Sequence, residues 1–300
     1  FYPGIRVVGV VFNFVASVAH YAYLQQACAD AGVEALGYIP KDESIVIPSR
    51  HLGLSIDETF CFDAFADRVA EVIDKTVNVD RLLELCTVEF SGEQTEDVVC
   101  SGNRKIAIAR DEAFNFMYRE NVEALKRAGE VVFFSPLRDK SLPEADMVYF
   151  PGGYPELHLA ELAANEEMRQ SVRKYCETGG RVLAECGGMM YLCDTITGDD
   201  GKVYPMAGVL KQGATMEQMK LKLGYREVRV NGQRIRGHEF HYSRILPANE
   251  KIPVIGTIYN AKDMVVDTPV YTYKNVLASY IHFYWGECGM DHFLMLMSQK

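Results

Sequence analysis

Apolar and polar positions along this chain switch repeatedly between a strand-like and a helix-like period. "RVVGVVFN" is a continuous β-branched run of the buried-strand kind, "HYAYLQQACADAG" moves to helical spacing and stops at Gly32, and "EALGYIP" is strand-like again. Together they predict a βαβ unit. A further helix, "DAFADRVAEVID", precedes "EFSGEQTEDVVCSGN", which is polar, acidic and glycine-containing and reads as a linker. A new unit begins at "KIAIA", continues through a long amphipathic helix predicted over "AFNFMYRENVEALKRAG", and then gives strands "VVFFS", "MVYFPGG" and "RVLAE" separated by helical stretches. That succession predicts a second parallel α/β sheet with helices on both faces. The segments "GYREVRV", "GHEFHYSRI", "VIGTIYN" and "VYTYKNVLASYIHFYW" are dominated by strands and predict an antiparallel extension leading to a last helix, "MDHFLMLMS". The expected division is residues 1–88, a linker at 89–103, and a domain over 104–300.

Composition narrows the classes. At 300 residues, two domains are the expectation, and 48% hydrophobic with 24% charged residues is ordinary for a globular protein. No apolar run approaches the ~20 residues that span a bilayer, so no membrane insertion is expected. A net charge of -10 argues against nucleic acid as a partner, because phosphate binding relies on clustered Lys and Arg. The eight cysteines contain no Cys-x-x-Cys pair, and they read as reduced thiols of a cytoplasmic protein. The opening, "FYPGIRVVGVVFNFV", lacks an initiator Met and a signal-peptide pattern, and reads as a chain entered partway through a domain.

The chemistry concentrates at "RVLAECGGMMYL". Cys186 falls where a buried strand gives way to a helix, with Ala184 before it and Gly187 and Gly188 after it. Small neighbours permit a nucleophile elbow, in which a sharp strand-to-helix turn exposes the nucleophile's side chain. The helix N-terminus is expected to favour the thiolate. A thiolate nucleophile is usually served by a histidine, and His282 in "ASYIHFYWG" is the best candidate. In "FPGGYPELH" a strand stops at Pro151 and two glycines free the backbone to turn, so the Gly153 and Gly187 N–H groups could form an oxyanion hole. "GHEFHYS" carries His238, Glu239 and His241, but His238 and His241 face opposite sides of a strand, so no metal site is expected.

In this order, "FPGGYPELHLAELAAN", "AECGGMMYL", "GHEFHYS" and "SYIHFYWG" resemble the class I glutamine amidotransferase domain of cobyrinic acid a,c-diamide synthases. "GVVFNFVASVAHYAYL" and "LGYIPKDESIVIPSRHLGL" resemble the second half of that family's P-loop-type synthetase domain. The resemblance implies an α/β fold: a flavodoxin-like amidotransferase domain behind the back half of a synthetase α/β domain. It implies that Cys186 attacks the side-chain amide of glutamine with help from His282. It implies that the ammonia is used, with ATP and Mg²⁺, to amidate the a and c acetates of a corrinoid polycarboxylate. The same chemistry on hydrogenobyrinate or nickel sirohydrochlorin, a Cys-His hydrolase without synthetase activity, and a non-catalytic scaffold are the rivals.

Many class I amidotransferases carry Glu two residues after the histidine; here that position is Tyr284, so no triad acid is assigned. The phosphate-binding loop G-x-x-x-x-G-K-[ST] occurs nowhere in the 300 residues, and most of the ATP and Mg²⁺ site is expected in an upstream segment. By resemblance Asn13 reads adenine. Arg50 and His51 are candidates for substrate carboxylates, Arg because its planar fork pairs them bidentately. The resemblance is also compatible with a homodimer.

Overall fold

Close backbone packing at glycines sets the geometry of the first unit. The structure is a computed structural model and describes residues 4–47, 49–50, 53–54, 60–89, 103–230, 232–248 and 251–285. The chain divides into two units, Phe1–Gln94 and Thr95–Lys300. Strands β1 (Gly9–Val15) and β2 (Glu34–Pro40) pair in parallel across helix α1 (Val18–Asp30), so the βαβ expectation holds. β1 is displaced C-terminally from the predicted "RVVGVVFN". The Ser17 Oγ caps α1 by accepting the His20 N–H at 3.1 Å, and Gly32, at φ 67°, turns the chain after it. Two short strands follow, β3 (Ser49–Arg50) and β4 (Gly53–Leu54), then helices α2 (Phe62–Thr76) and α3 (Val79–Cys86). A side chain at Gly37 would lie 2.3 Å from the Thr76 carbonyl oxygen, so the end of α2 closes directly on β2. The stretch read as a linker lies, except for its ends, outside the described residues.

The second unit opens with β5 (Arg104–Ala109), α4 (Arg119–Ala128), β6 (Gly129–Phe134) and β7 (Met147–Phe150). It continues through α5 (Leu159–Ala164), α6 (Glu166–Glu177), β8 (Arg181–Glu185) and α7 (Gly187–Leu192). Strands β9 (Cys193–Thr197), β10 (Val203–Pro205), β11 (Leu210–Thr215), β12 (Lys222–Val230) and β13 (Gln233–His241) come next. The last are β14 (Arg244–Ile245), β15 (Thr257–Asn260), β16 (Val270–Tyr273), β17 (Val276–Ser279) and β18 (Ile281–Tyr284).

The central sheet has the order β16-β17-β8-β7-β5-β6, parallel apart from β16. Met147 to Phe150 in β7 and Val182 to Glu185 in β8 are buried without interruption, as parallel strands covered on both faces require. A second sheet, β15-β12-β13-β18, is wholly antiparallel and supplies the expected extension. Ile106, Ile108, Tyr149, Leu183, Phe283 and Trp285 belong to one buried apolar cluster that takes side chains from both sheets.

The helix predicted over "AFNFMYRENVEALKRAG" begins only at Arg119. The Asp111 carboxylate accepts the Ala113 and Phe114 N–H groups, which holds the chain in a turn, and Phe116 N–H then donates to the Gly152 carbonyl. The strand-dominated stretch "VLASYIHFYW" forms two strands in two sheets, parted at Tyr280, whose ring stacks on His241 at 3.6 Å. The last predicted helix, "MDHFLMLMS", lies outside the described residues.

Candidate active site

Cys186 has φ 46° and ψ -107°, a conformation that costs a non-glycine residue on the order of 1–3 kcal/mol. The surrounding bonds impose it. Cys186 N–H donates to the Ser279 carbonyl at 2.7 Å on β17, and its own carbonyl accepts the Met190 N–H at 3.0 Å inside α7. Gly188 N–H donates to Pro151 at 3.1 Å, pinning the turn to the end of β7. The sharp strand-to-helix turn predicted from the sequence is therefore present, but the expectation that it exposes the side chain is corrected: Cys186 is buried.

The glycines that flank it answer to close approach. A side chain at Gly187 would stand 2.7 Å from Pro155 Cδ and 3.0 Å from the Gly153 carbonyl oxygen; one at Gly188 would stand 2.3 Å from the Phe150 carbonyl oxygen. Across the same turn, a side chain at Gly152 would stand 2.3 Å from His282 Cε1. The Gly152-Gly153 dipeptide is thus a thin wall with the cysteine elbow packed on one residue and the imidazole on the other. Gly153 is held against the chain opposite, where an added side chain would meet the Ala113 carbonyl oxygen.

His282 lies on β18 opposite His238 of β13, and the two rings stack with centroids 4.7 Å apart. Phe116 meets the His282 ring edge-on at 4.6 Å, which is what the non-helical start before α4 accomplishes. His238 Nδ1 is 2.6 Å from the Tyr118 hydroxyl. The His282 Nδ1 is buried, and among the described residues it has no hydrogen-bond partner. Burial, then the neighbouring His238 and His241, push the imidazole down to about 3, so it is neutral at physiological pH.

The thiol is also neutral. Burial pushes Cys186 well above the ordinary thiol range, Glu156 adds to this, and the Gly187 N–H bonded to the sulfur opposes it only in part. The expectation that the helix N-terminus favours the thiolate is therefore corrected: α7 has six residues, and desolvation outweighs its N-terminal donor. The Cys186 Sγ donates to the Phe240 carbonyl at 3.8 Å. Elbow and imidazole border one turn as a neutral thiol and a neutral base.

Two carboxyls that sequence reading left without a role lie nearby. Glu156, in the short 3-10 turn Pro155–Leu157, is raised to about 7 by burial, against a bond from its own N–H. Glu185, immediately before Cys186, is fully buried and raised to about 8 by desolvation, against bonds from Tyr149 and the Phe283 N–H. Glu239 goes the other way: burial would raise it, but bonds and charges from His241, Lys222, Thr268 and Arg226 hold it down to about 2. These roles depend on contacts between residues tens of positions apart, which no local pattern encodes; a Glu inside an apolar strand, as in "RVLAE", is the one visible signal.

In the first unit, Asn13 lies inside β1, where its Oδ1 accepts the Phe14 N–H at 2.9 Å, and Phe14 itself has φ 60°. Arg50 falls in β3, but its side chain, like the whole of His51, lies outside the described residues. Among the described residues no group of three or more His, Cys, Asp or Glu is placed to hold a metal ion. No helix among them is long and apolar enough to cross a membrane.

Residues 105–289 match the CobB/CobQ-like glutamine amidotransferase domain. A cobyrinate a,c-diamide synthase of Salmonella typhimurium is 34% identical over 302 residues, covering 96% of this chain and 66% of that protein. One from Saccharolobus solfataricus is 35% identical, covering 93% and 66%. A hydrogenobyrinate a,c-diamide synthase of Pseudomonas aeruginosa is 36% identical, covering 95% and 64%. The chain spans about two thirds of the length of these curated relatives.

Proposed function

The chain belongs to the CobB/CobQ-like glutamine amidotransferase family, and on that premise we propose that it frees ammonia from glutamine at Cys186 for the amidation of a corrinoid polycarboxylate. The observation that carries this reading is the strained cysteine elbow packed against the same two-glycine turn as His282.

The Cys186 sulfur attacks the side-chain carboxamide carbon as its proton passes to His282. Both groups start uncharged, so attack and proton transfer run together and the site need not store a buried ion pair. The oxygen of the tetrahedral intermediate is met by the Gly187 N–H, already directed at the sulfur, and by the Gly153 N–H; such a donor is worth roughly 3–4 kcal/mol. Collapse breaks the C–N bond, His282 returns the proton to the leaving nitrogen, and ammonia departs. Water then attacks the glutamyl thioester, its proton taken by His282, and glutamate leaves as the thiol re-forms. The sum is glutamine plus water to glutamate plus ammonia.

In the whole protein, ATP is proposed to phosphorylate the a and c acetates and ammonia to displace phosphate, leaving two amides. ATP with Mg²⁺ does not find a complete site in this chain: its sequence has no phosphate-binding loop, and its described residues contain no metal cluster. Asn13 toward adenine, and Arg50 and His51 toward substrate carboxylates, remain part of the proposal, as do the 1–88 and 104–300 division and a cytoplasmic homodimer. The second reading is the same amidation on hydrogenobyrinate, since a relative of that name is as similar to this chain, at 36% identity, as cobyrinate a,c-diamide synthases are; relative rates on the cobalt-containing and metal-free acids separate the two.

Glutamine hydrolysis, followed as glutamate and ammonia, tests the site. The wild-type chain is expected to hydrolyse glutamine, and Cys186→Ser to lose about a thousandfold or more. Equal rates for the two would refute the assignment.

A further inference from the structure

The imidazole has no acid behind it: position 284 is Tyr, and the His282 Nδ1 finds no partner among the described residues. His238 and Phe116 hold the ring by its face and edge, and the backbone position from which it projects is set by the strand that carries it. β18 pairs through one edge only, with β13. Its other edge has no strand among the described residues and is held by side chains. Ile281 N–H donates to Ser279 Oγ at 3.2 Å. Phe283 N–H donates to Glu185 Oε1 at 3.2 Å, and the Phe283 carbonyl accepts the Asn121 Nδ2 at 2.7 Å. Trp285 N–H donates to Asn121 Oδ1 at 3.1 Å.

Two of these residues also govern the nucleophile. Ser279 accepts the Cys186 N–H with its carbonyl while its hydroxyl takes Ile281. Glu185 is joined to Cys186 by the peptide bond, is gripped at its second oxygen by the Tyr149 hydroxyl at 2.8 Å, and reaches the residue next to His282 with its first. One buried side chain therefore spans the gap between the strand that ends in the cysteine and the strand that carries the histidine. A purely apolar contact there would cover the core without fixing register, whereas a carboxyl accepting two directed bonds sets a distance.

We propose that Glu185 is a positioning residue for glutamine hydrolysis, fixing His282 relative to Cys186 through the Phe283 N–H, with Asn121 securing the same strand from α4. It substitutes geometrically for an acid on the imidazole and touches neither substrate nor the reacting atoms. This rests on the proposed glutaminase reading.

The role separates from that of a simple core residue by what Gln can replace. In Glu185→Gln the amide oxygen still accepts Phe283 N–H, and the amide N–H₂ donates to Tyr149 once that hydroxyl turns round; Glu185→Ala keeps neither bond. With wild-type protein and variants shown to be folded by circular dichroism, Glu185→Ala is expected to lower kcat for glutamine about tenfold to a hundredfold with KM little changed, since angstrom-scale misplacement costs that much. Glu185→Gln is expected to stay within about threefold of wild type, and Asn121→Ala to reproduce part of the alanine loss in kcat. Should Glu185→Ala not fold, the Gln and Asn121 variants carry the test. An unchanged kcat in folded Glu185→Ala or Asn121→Ala, or a Gln variant as slow as the Ala variant, overturns the proposal. Loss of glutaminase in the wild-type protein would instead strike the reading beneath it.

Discussion

A single residue carries the clearest conflict between stability and use. Cys186 sits in backbone space that suits glycine, and the helix-capping, strand-end and turn bonds around it hold it there. Cys186→Gly removes the strain, of order 1–3 kcal/mol, while giving back part of it through the freer unfolded chain. The variant is expected to stay within about 1 kcal/mol of wild type in urea, the relieved strain offsetting the lost burial of the thiol, with glutaminase activity gone; a larger loss would show that the strain is smaller than the burial it trades against. The elbow was legible in the sequence because strand, small residue, Cys and two glycines are contiguous. The charge state was not, because desolvation comes from side chains distant in sequence, and it reverses the thiolate expectation.

Among elements, the parallel strands β5, β7 and β8 announced themselves as unbroken apolar runs, and α2 by its period. The start of α4 did not: Ala113 to Met117 have helical periodicity, but Asp111 and the Gly152 carbonyl claim their N–H groups, and the payoff is Phe116 against His282. The boundary between β17 and β18 is not marked in the sequence, because the apolar pattern continues through Tyr280, where the chain changes sheets. The glycine pair of α7 belongs to this scale, since it lets a helix start against the end of β7. Gly188→Ala places a methyl group 2.3 Å from the Phe150 carbonyl oxygen, a rigid backbone atom. It is expected to cost about 1–3 kcal/mol by urea unfolding, and a cost near zero would mean that α7 moves freely.

Over the whole molecule, periodicity disclosed the α/β class, while the pairing of β18 with β13 and the side-chain seam on its far edge appear only in three dimensions. Eight cysteines are distributed along the chain, and of the three that are buried among the described residues of the second unit, Cys176, Cys186 and Cys193, only Cys186 stands in strained backbone beside an imidazole. That contrast gives the account its most direct test. A chloroketone analogue of glutamine, incubated with the protein and located by peptide mass mapping, is expected to modify Cys186 ahead of every other cysteine, with free glutamine protecting it. Modification spread over other cysteines, or unaltered in Cys186→Ser, would contradict the assignment of this sulfur as the source of ammonia.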